Sequence, residues 1–390
     1  MTYLQNIKPL RHIHKEEVTM SQITMTYLQN IKPEVRALHG YHITAYDCPI
    51  KLNQNESPFD IPDSLKDDIL HAVRNKAWSR YPEPMQIDLV EALADQVGVQ
   101  PEGLIACNGS NTLVQLVLGV VSAPGVQVVI PSPSFSLYGL YTDIFSGRVL
   151  DVPLTQNYGF DIPALCRAAS EENARLIILC SPNNPTGCAI SNTDLDNLLS
   201  STSALVMVDE AYGEFYTQTA IDLLPKHPNL IVLKTLSKAF GAAGIRIGYL
   251  IAHPDLRDEI IKGKIPFDIN IFSHTAAMAI LNHKDLIQKR IAYICSERER
   301  VFQALAQIEG VTPYPSHANL ILFEVADPDA VFTGLIEQGV LIRNVTSYPM
   351  LDRALRVSIG TQWENDRFLE ALEKTLEKAG DHKGSPLQNK

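Results

Sequence analysis

The chain has 390 residues, 45% of them hydrophobic and 20% charged, a mix that excludes a disordered or fibrous protein and predicts more than one hydrophobic core. Its formal net charge of −11 argues against a surface for nucleic acid or anionic lipid, so an anionic substrate has to be captured by local arginines. No apolar run is long enough to span a bilayer, and the six cysteines, Cys48, Cys107, Cys166, Cys180, Cys188 and Cys295, contain no C-x-x-C pair, which argues against a metal site and for reduced core thiols in a cytoplasmic protein.

The chain opens on a duplication: MTYLQNIKP stands at 1–9 and again at 25–33. Two copies do not make a solenoid. The polar stretch between them lacks the apolar core of a signal peptide, and Glu16 and Glu17 argue against a transit peptide. Residues 1–33 therefore read as an extension, disordered in part, with Met25 the expected functional start.

From Pro62 to Asn75 apolar residues fall at helical spacing, and Gln86 to Val97 repeats the pattern. Short apolar runs follow at Val126–Ile130, Leu176–Cys180, Leu205–Val208, Leu230–Leu233 and Ile247–Ile251. They read as fully buried strands of a mainly parallel sheet, with most crossovers helical. After about Asn270 the pattern changes. One long helix is expected from Ser273 to Ile308, then strands at Asn319–Val325, Gly339–Arg343 and Ala354–Ile359, with helices around Asp327–Gln338 and Asn365–Lys378. The expected division is a large α/β domain over 61–272, a smaller α+β domain from 34–60 and 273–378, and a frayed polar tail over 379–390. Ligand sites in open α/β sheets lie beyond the carboxyl ends of the strands, and the chemically interesting residues do follow the apolar runs.

After Leu230–Leu233 comes KTLSKAFGAAGIRIG, residues 234–248. Glycines and small residues here let the backbone approach a ligand. Lys238 can form a Schiff base with an aldehyde cofactor if its amine is neutral, and Arg246 can fork onto a phosphate. Two solvated cations on a loop are the plain alternative, and that reading suits Lys234. Asp209 ends the strand VMVD in VMVDEAY (206–212), either as a satisfied cap or as a charge set to meet a buried cation. CSPNNPTG (180–187) is by itself a turn signal. CNGSNTL (107–113) opens an apolar helix whose first N–H groups suit a phosphate, or is an ordinary helix start.

Taken in chain order, the four stretches resemble the fold-type I pyridoxal-phosphate (PLP) aminotransferases, the aspartate aminotransferase superfamily, over about Val35 to Leu376. The resemblance implies a large domain with a mainly parallel sheet between helices plus a smaller α+β domain. It implies PLP as cofactor, with Lys238 as Schiff-base lysine and proton shuttle, Asp209 on the pyridine nitrogen, and Asn184 and Tyr212 on the phenolic oxygen. Phe135 would stack on the ring, and Ser110, Asn111, Thr235, Ser237 and Arg246 would hold the phosphate. Tyr81, in SRYPE (79–83), looks like the tyrosine that enters the neighbouring subunit's site, which implies a homodimer with shared active sites.

Within the superfamily the chain is most similar to the histidinol-phosphate aminotransferases. KLNQNESPF (51–59) resembles their L-N-x-N-E-N-P-F segment, with Ser57 for the second asparagine. SRYPE resembles N-R-Y-P, VLIR (340–343) and ALRVSIGT (354–361) resemble two arginine motifs with Tyr348-Pro349 between them, and SHANL (316–320) matches a further segment loosely. This implies L-histidinol phosphate as amino donor and 2-oxoglutarate as acceptor, with Arg356, Arg343, Tyr41 and Asn55 at the substrate. Asn111 and Thr112 stand where that family usually has acidic residues, and Gly40 stands where proline usually precedes the tyrosine. Aromatic amino-acid aminotransferase and threonine-phosphate decarboxylase are the enzymatic alternatives. A PLP-fold transcriptional regulator is disfavoured, because the region before the fold is too short for a winged helix and the charge is wrong for DNA.

Overall fold

The computed structural model describes residues 27–38, 46–171 and 174–381. The chain divides into units 1–42 and 43–390, and the described part of the first holds a 3₁₀ turn at Tyr27–Asn30 and the short helix α1 (Pro33–Ala37). Residues 1–24 and Tyr41 lie outside the described residues.

The second unit, Ile43–Lys390, contains a seven-stranded sheet. Its strands are β2 (Leu104–Cys107), β3 (Gln127–Ser132), β4 (Arg148–Pro153), β5 (Ala174–Cys180), β6 (Leu205–Asp209), β7 (Leu230–Thr235) and β8 (Gly248–Ala252), in the order β2-β8-β7-β6-β5-β3-β4. All neighbours are parallel except β8, which runs antiparallel to both β7 and β2. Helices α2 (Asp63–Arg74), α3 (Ile87–Val97), α4 (Ser110–Val121), α5 (Leu137–Ile144), α6 (Ile162–Ala169), α7 (Asn192–Ser200) and α8 (Pro254–Ile260) accompany it.

Alternation along the strands divides the core in two. Ile178, Cys180, Met207, Ile231 and Leu233 face one hydrophobic cluster with α3 and α4. Ile177, Leu179, Val206, Val208 and Val232 face the other, with α6 and α7. Burial on both faces explains why these strands read as unbroken apolar runs. It also fixes register, because a slip by one residue would exchange the two clusters. The sequence reading missed β2 and β4, the two edges. β4 is mostly half-exposed, so it lacks the continuous apolar signal of the central strands.

The remaining part begins with α9 (Ile271–Leu281) and α10 (Lys284–Leu305). The single helix expected over 273–308 is thus two, because Asn282 and His283 leave helical continuity, with His283 at φ −109°, ψ 45°. Strands β9 (Thr312–Pro313), β10 (Leu320–Glu324), β12 (Arg343–Asn344) and β13 (Ala354–Ser358) make a four-stranded antiparallel sheet ordered β12-β13-β10-β9. Helices α11 (Pro328–Glu337) and α12 (Gln362–Asp381) pack on one another. α11 starts where Asp327 accepts the N–H of Ala330 at 3.0 Å, a side-chain cap at the expected place. The strand expected over 339–343 is also divided. β11 (Val340–Leu341) pairs in parallel with β1 (Ile50–Lys51), and β12 turns to β13, so one short apolar run serves two sheets. The segment before Asp60 therefore packs on this second region, as expected for residues 50–52. The helix α12 continues to Asp381, three residues into the expected tail, and residues 382–390 lie outside the described residues.

Candidate active site

The carboxyl ends of β5, β6 and β7 are adjacent in the sheet, with Cys180 in register with Asp209 and Asp209 with Leu233. The three motifs that follow these strands are thereby brought together by pairing alone. The loop after β7 borders a cleft of about 410 Å³, with Ser237, Gly241 and Gly244 on one wall, Glu56 to Asp60 on another, and Ser358 and Gly360 beside them.

Lys238 donates to the carbonyl of Gln54 at 3.0 Å, and its ammonium stands 5.7 Å from the ring centroid of Tyr212. Burial, followed by the positive charges of Arg356 and Arg246, depresses its pKa to about 8. Near neutrality a useful fraction is then a free amine, the form that can attack an aldehyde or take a proton.

Asp209 is buried, 4% exposed. Its carboxylate accepts from the Tyr138 hydroxyl at 2.8 Å and from the N–H of Ala211 at 3.0 Å. Burial holds its carboxyl above the ordinary range. No cation among the described residues bonds it, so a positive group arriving at this carboxylate would favour its ionised form. A protonated pyridine nitrogen is such a group. Tyr138 was not singled out in the sequence; it lies three residues after Phe135, one helical turn, and the two rings meet edge to face at 5.4 Å.

Groups of the kind that can hold a phosphate gather around Arg246. Ser110 and Asn111 open α4, whose first N–H groups have no partner within the helix. Gly109 precedes them at φ +85°, and a β-carbon there would run into the Arg246 guanidinium. Arg246 donates to the Ala243 carbonyl at 3.1 Å and reaches Ser237 Oγ at 3.4 Å. Thr235 donates to the Ile247 carbonyl at 3.1 Å and accepts from the N–H of Ser237 at 3.1 Å. A lysine, a buried unpaired carboxylate and these groups around Arg246 fit PLP in type and arrangement.

The second region supplies two paired arginines. Arg343 and Arg356 are direct partners across β12 and β13, so their side chains leave the same face. Two like charges placed this way are unfavourable without an anion or acceptor between them. Arg356, buried, donates to the carbonyl of Asn53 at 2.6 Å and to Asn184 Oδ1. Asn55 donates to the Tyr212 hydroxyl at 2.9 Å. Arg356 with Asn184 and Asn55 with Tyr212 are thus two hydrogen-bonded pairs, and the charge of Arg356 reaches the Tyr212 hydroxyl. Tyr81 is in neither pair: its ring is 82% exposed and stacks on Phe267 at 4.7 Å.

Two residues behave differently from the sequence reading or were missed by it. Lys234 is not solvated: it is buried on β7 and bridges Glu210 and Glu214, each at 3.1 Å. The two carboxylates hold its pKa above the ordinary lysine value against the cost of burial. Asn183 was read only as part of a turn. It accepts from Ser134 at 2.8 Å and donates to the Pro133 carbonyl at 2.9 Å, which ties the loop after β5 to the loop that carries Phe135. A neighbouring Pro-rich turn in the sequence gives no sign of that pairing.

The profile of the aminotransferases of class I and II matches residues 48–372. The chain is 41% identical over 340 residues to a histidinol-phosphate aminotransferase of Chlorobaculum tepidum, covering 85% of this chain and 98% of that one. It is similar in structure to the histidinol-phosphate aminotransferase of Sinorhizobium meliloti in complex with pyridoxal-5'-phosphate, with TM-score 0.83, 25% identity, and 91% of this chain and 100% of that one covered. A tetra mutant of Thermus thermophilus aspartate aminotransferase shares the fold at TM-score 0.74 and 20% identity, over 88% of this chain and 99% of that one.

Proposed function

The chain belongs to the histidinol-phosphate aminotransferases, within class I and II of the aminotransferases, and from that membership we propose that it transfers the amino group of L-histidinol phosphate to 2-oxoglutarate, giving imidazole acetol phosphate and L-glutamate, a step of histidine biosynthesis. The observation that carries the substrate reading is the in-register pair Arg343 and Arg356, with Arg356 bonded to Asn184 and its charge acting on Lys238. The donor brings a phosphate and the acceptor two carboxylates, and paired guanidinium groups bind either anion by bidentate forks.

When bound, PLP supplies an aldehyde for the amino group and a ring that accepts the electrons of the broken C–H bond. The rest falls to the chain. Nζ of Lys238 would hold the cofactor, give way to the substrate amine, and then carry the proton from the substrate α-carbon to the carbon that was the cofactor's aldehyde, as base and then acid. Asp209 keeps a positive charge at the pyridine nitrogen. Asn184 and Tyr212 would address the phenolic oxygen, Phe135 would cover the ring, and Ser110, Asn111, Thr235, Ser237 and Arg246 would hold the phosphate. Arg356 and Arg343 would orient the substrate so that its α-hydrogen faces Lys238, with Asn55 bonded to the Tyr212 hydroxyl; Tyr41, outside the described residues, stays a candidate from the sequence alone.

The same reading takes residues 61–272 as a large domain and 34–60 with 273–378 as a small one, in a cytoplasmic enzyme. It also takes the chain as a homodimer with shared sites. Trp78, Tyr81, Ile87, Ile265 and Phe272 leave aromatic and aliphatic surface in water, a patch of the kind that marks an interface, and Tyr81 would reach into the partner's site.

The test is glutamate formation from 2-oxoglutarate with L-histidinol phosphate or L-phenylalanine as donor. Turnover with the phosphate ester at least about 10²-fold more efficient supports the reading. Preference for phenylalanine, or carbon dioxide release from a threonine phosphate, would replace it.

A further inference from the structure

Asn55 sits in the left-handed region at φ 53° and is 1% exposed. All of its polar groups are engaged. Its N–H donates to Ser358 Oγ at 2.8 Å, and its carbonyl accepts from Asn319 Nδ2 at 3.1 Å. Its side chain accepts from the Ser358 hydroxyl at 3.0 Å through Oδ1 and donates to the Tyr212 hydroxyl at 2.9 Å through Nδ2.

The direction of these bonds follows from one group that cannot reverse. A backbone N–H only donates, so Ser358 Oγ must accept there. The hydroxyl is buried, 2% exposed, and the acceptor within its reach for its own proton is Asn55 Oδ1. Turning the amide over would set that proton against an NH₂ group and leave it unsatisfied in the interior. The amide is thus held with Nδ2 toward Tyr212. The tyrosine oxygen accepts, and its proton is left for another acceptor.

We propose that Ser358 is a positioning residue that fixes the polarity of this chain, so that Tyr212 is held as a hydrogen-bond donor toward the phenolic oxygen of the bound cofactor. The proposal rests on the reading of Tyr212 given above. Ser358 lies two residues beyond Arg356, and on a strand residues two apart share a face. The strand that captures the substrate's anion therefore also sets the tyrosine's proton, which links substrate docking to the electronic state of the cofactor through one element.

Without Ser358 the amide of Asn55 can rotate, and Tyr212 can spend its proton on Asn55 Oδ1. The phenolic oxygen then keeps more negative charge and holds the proton it shares with the adjacent nitrogen more tightly. The midpoint of the pH titration of the bound cofactor's absorbance, read on the holoenzyme, is expected to rise by about 1 unit in Ser358→Ala. Ser358→Thr, which keeps the hydroxyl, should titrate like the parent chain. Ser358→Cys preserves packing with a weaker donor and should shift the midpoint in the same direction, so it serves if the alanine variant does not fold. Affinity for PLP, measured by equilibrium dialysis of the cofactor-free protein, should fall several-fold in Ser358→Ala and Ser358→Cys. Unmoved midpoints in both variants, or an equal shift in Ser358→Thr, would overturn the proposal while leaving the reaction itself in place. A parent chain with no titrating cofactor absorbance would overturn the reading of Tyr212 and this proposal together.

Discussion

Two regions meet at the site, and they are built on different terms. Lys238, Asp209 and Asn184 each follow a central strand of the seven-stranded sheet, where neighbours on both sides and packing on both faces fix the backbone. Arg343, Arg356 and Ser358 belong to a smaller antiparallel sheet whose strand β12 is two residues long. On the proposed reading, the first region holds groups that act on the cofactor for any amine, and the arginines of the second select and orient one substrate. Rigid pairing serves chemistry that tolerates little displacement, and a separate sheet lets substrate choice be changed without disturbing it.

The largest effect should come from the first region. Lys238→Ala is expected to lower kcat by about 10⁴-fold with every donor, because one amine serves as anchor, base and acid. Steady-state rates with two unrelated donors check it; a loss confined to one donor would erase the distinction between the regions. Lys234→Met tests whether the same region depends on its buried charges. Glu210 is 3% exposed and Glu214 is half-buried, and removing their cation should cost about 3–5 kcal/mol of stability in denaturant unfolding. Adding Glu210→Gln and Glu214→Gln should recover much of that loss.

For the second region, Arg356→Gln should reduce kcat/KM for the phosphorylated donor by about 10²-fold, roughly 3 kcal/mol, with PLP affinity little changed. Arg343, half-buried and farther along the strand pair, should matter less, about 10-fold in KM for Arg343→Ala. If Arg356→Gln abolished cofactor binding as well, the two regions would have to be treated as one.

A smaller effect sharpens the account of Lys238. Its pKa is lowered to about 8, so its amine is protonated below that pH and neutral above it. The rate at which cofactor-free protein takes up PLP should rise with pH, about tenfold per unit below 8, and level off above it. A midpoint near the ordinary lysine value would show that burial and Arg356 do not depress the group.

The regions also differ in how far the sequence exposes them. Central strands buried on both faces leave apolar runs that end where the chemistry starts, so Lys238, Asp209 and Asn184 could be placed before any coordinates. The edge strand β4 left no such run, and the helix break at Asn282–His283 was hidden inside a continuous amphipathic pattern. In the second region the division of 340–344 between two sheets depends on partners distant in sequence, Ile50 and Arg356. Local spacing carries no record of that. The same limit hid Tyr138 behind Asp209, Asn183 between two loops, and the burial of Lys234. Each is defined by a contact across 20 or more residues, and a lone lysine in sequence looks like any solvated one.

The central claim is that this cofactor site serves a phosphorylated amino alcohol. Single-turnover spectroscopy of the purified holoenzyme mixed with L-histidinol phosphate tests it most directly. The account predicts that absorbance of the lysine-bound cofactor is lost in one phase and replaced by that of its amine form, with no 2-oxoglutarate present. Conversion by an aromatic amino acid but not by L-histidinol phosphate would contradict the substrate, and no conversion by any amine would contradict the chemistry assigned to Lys238.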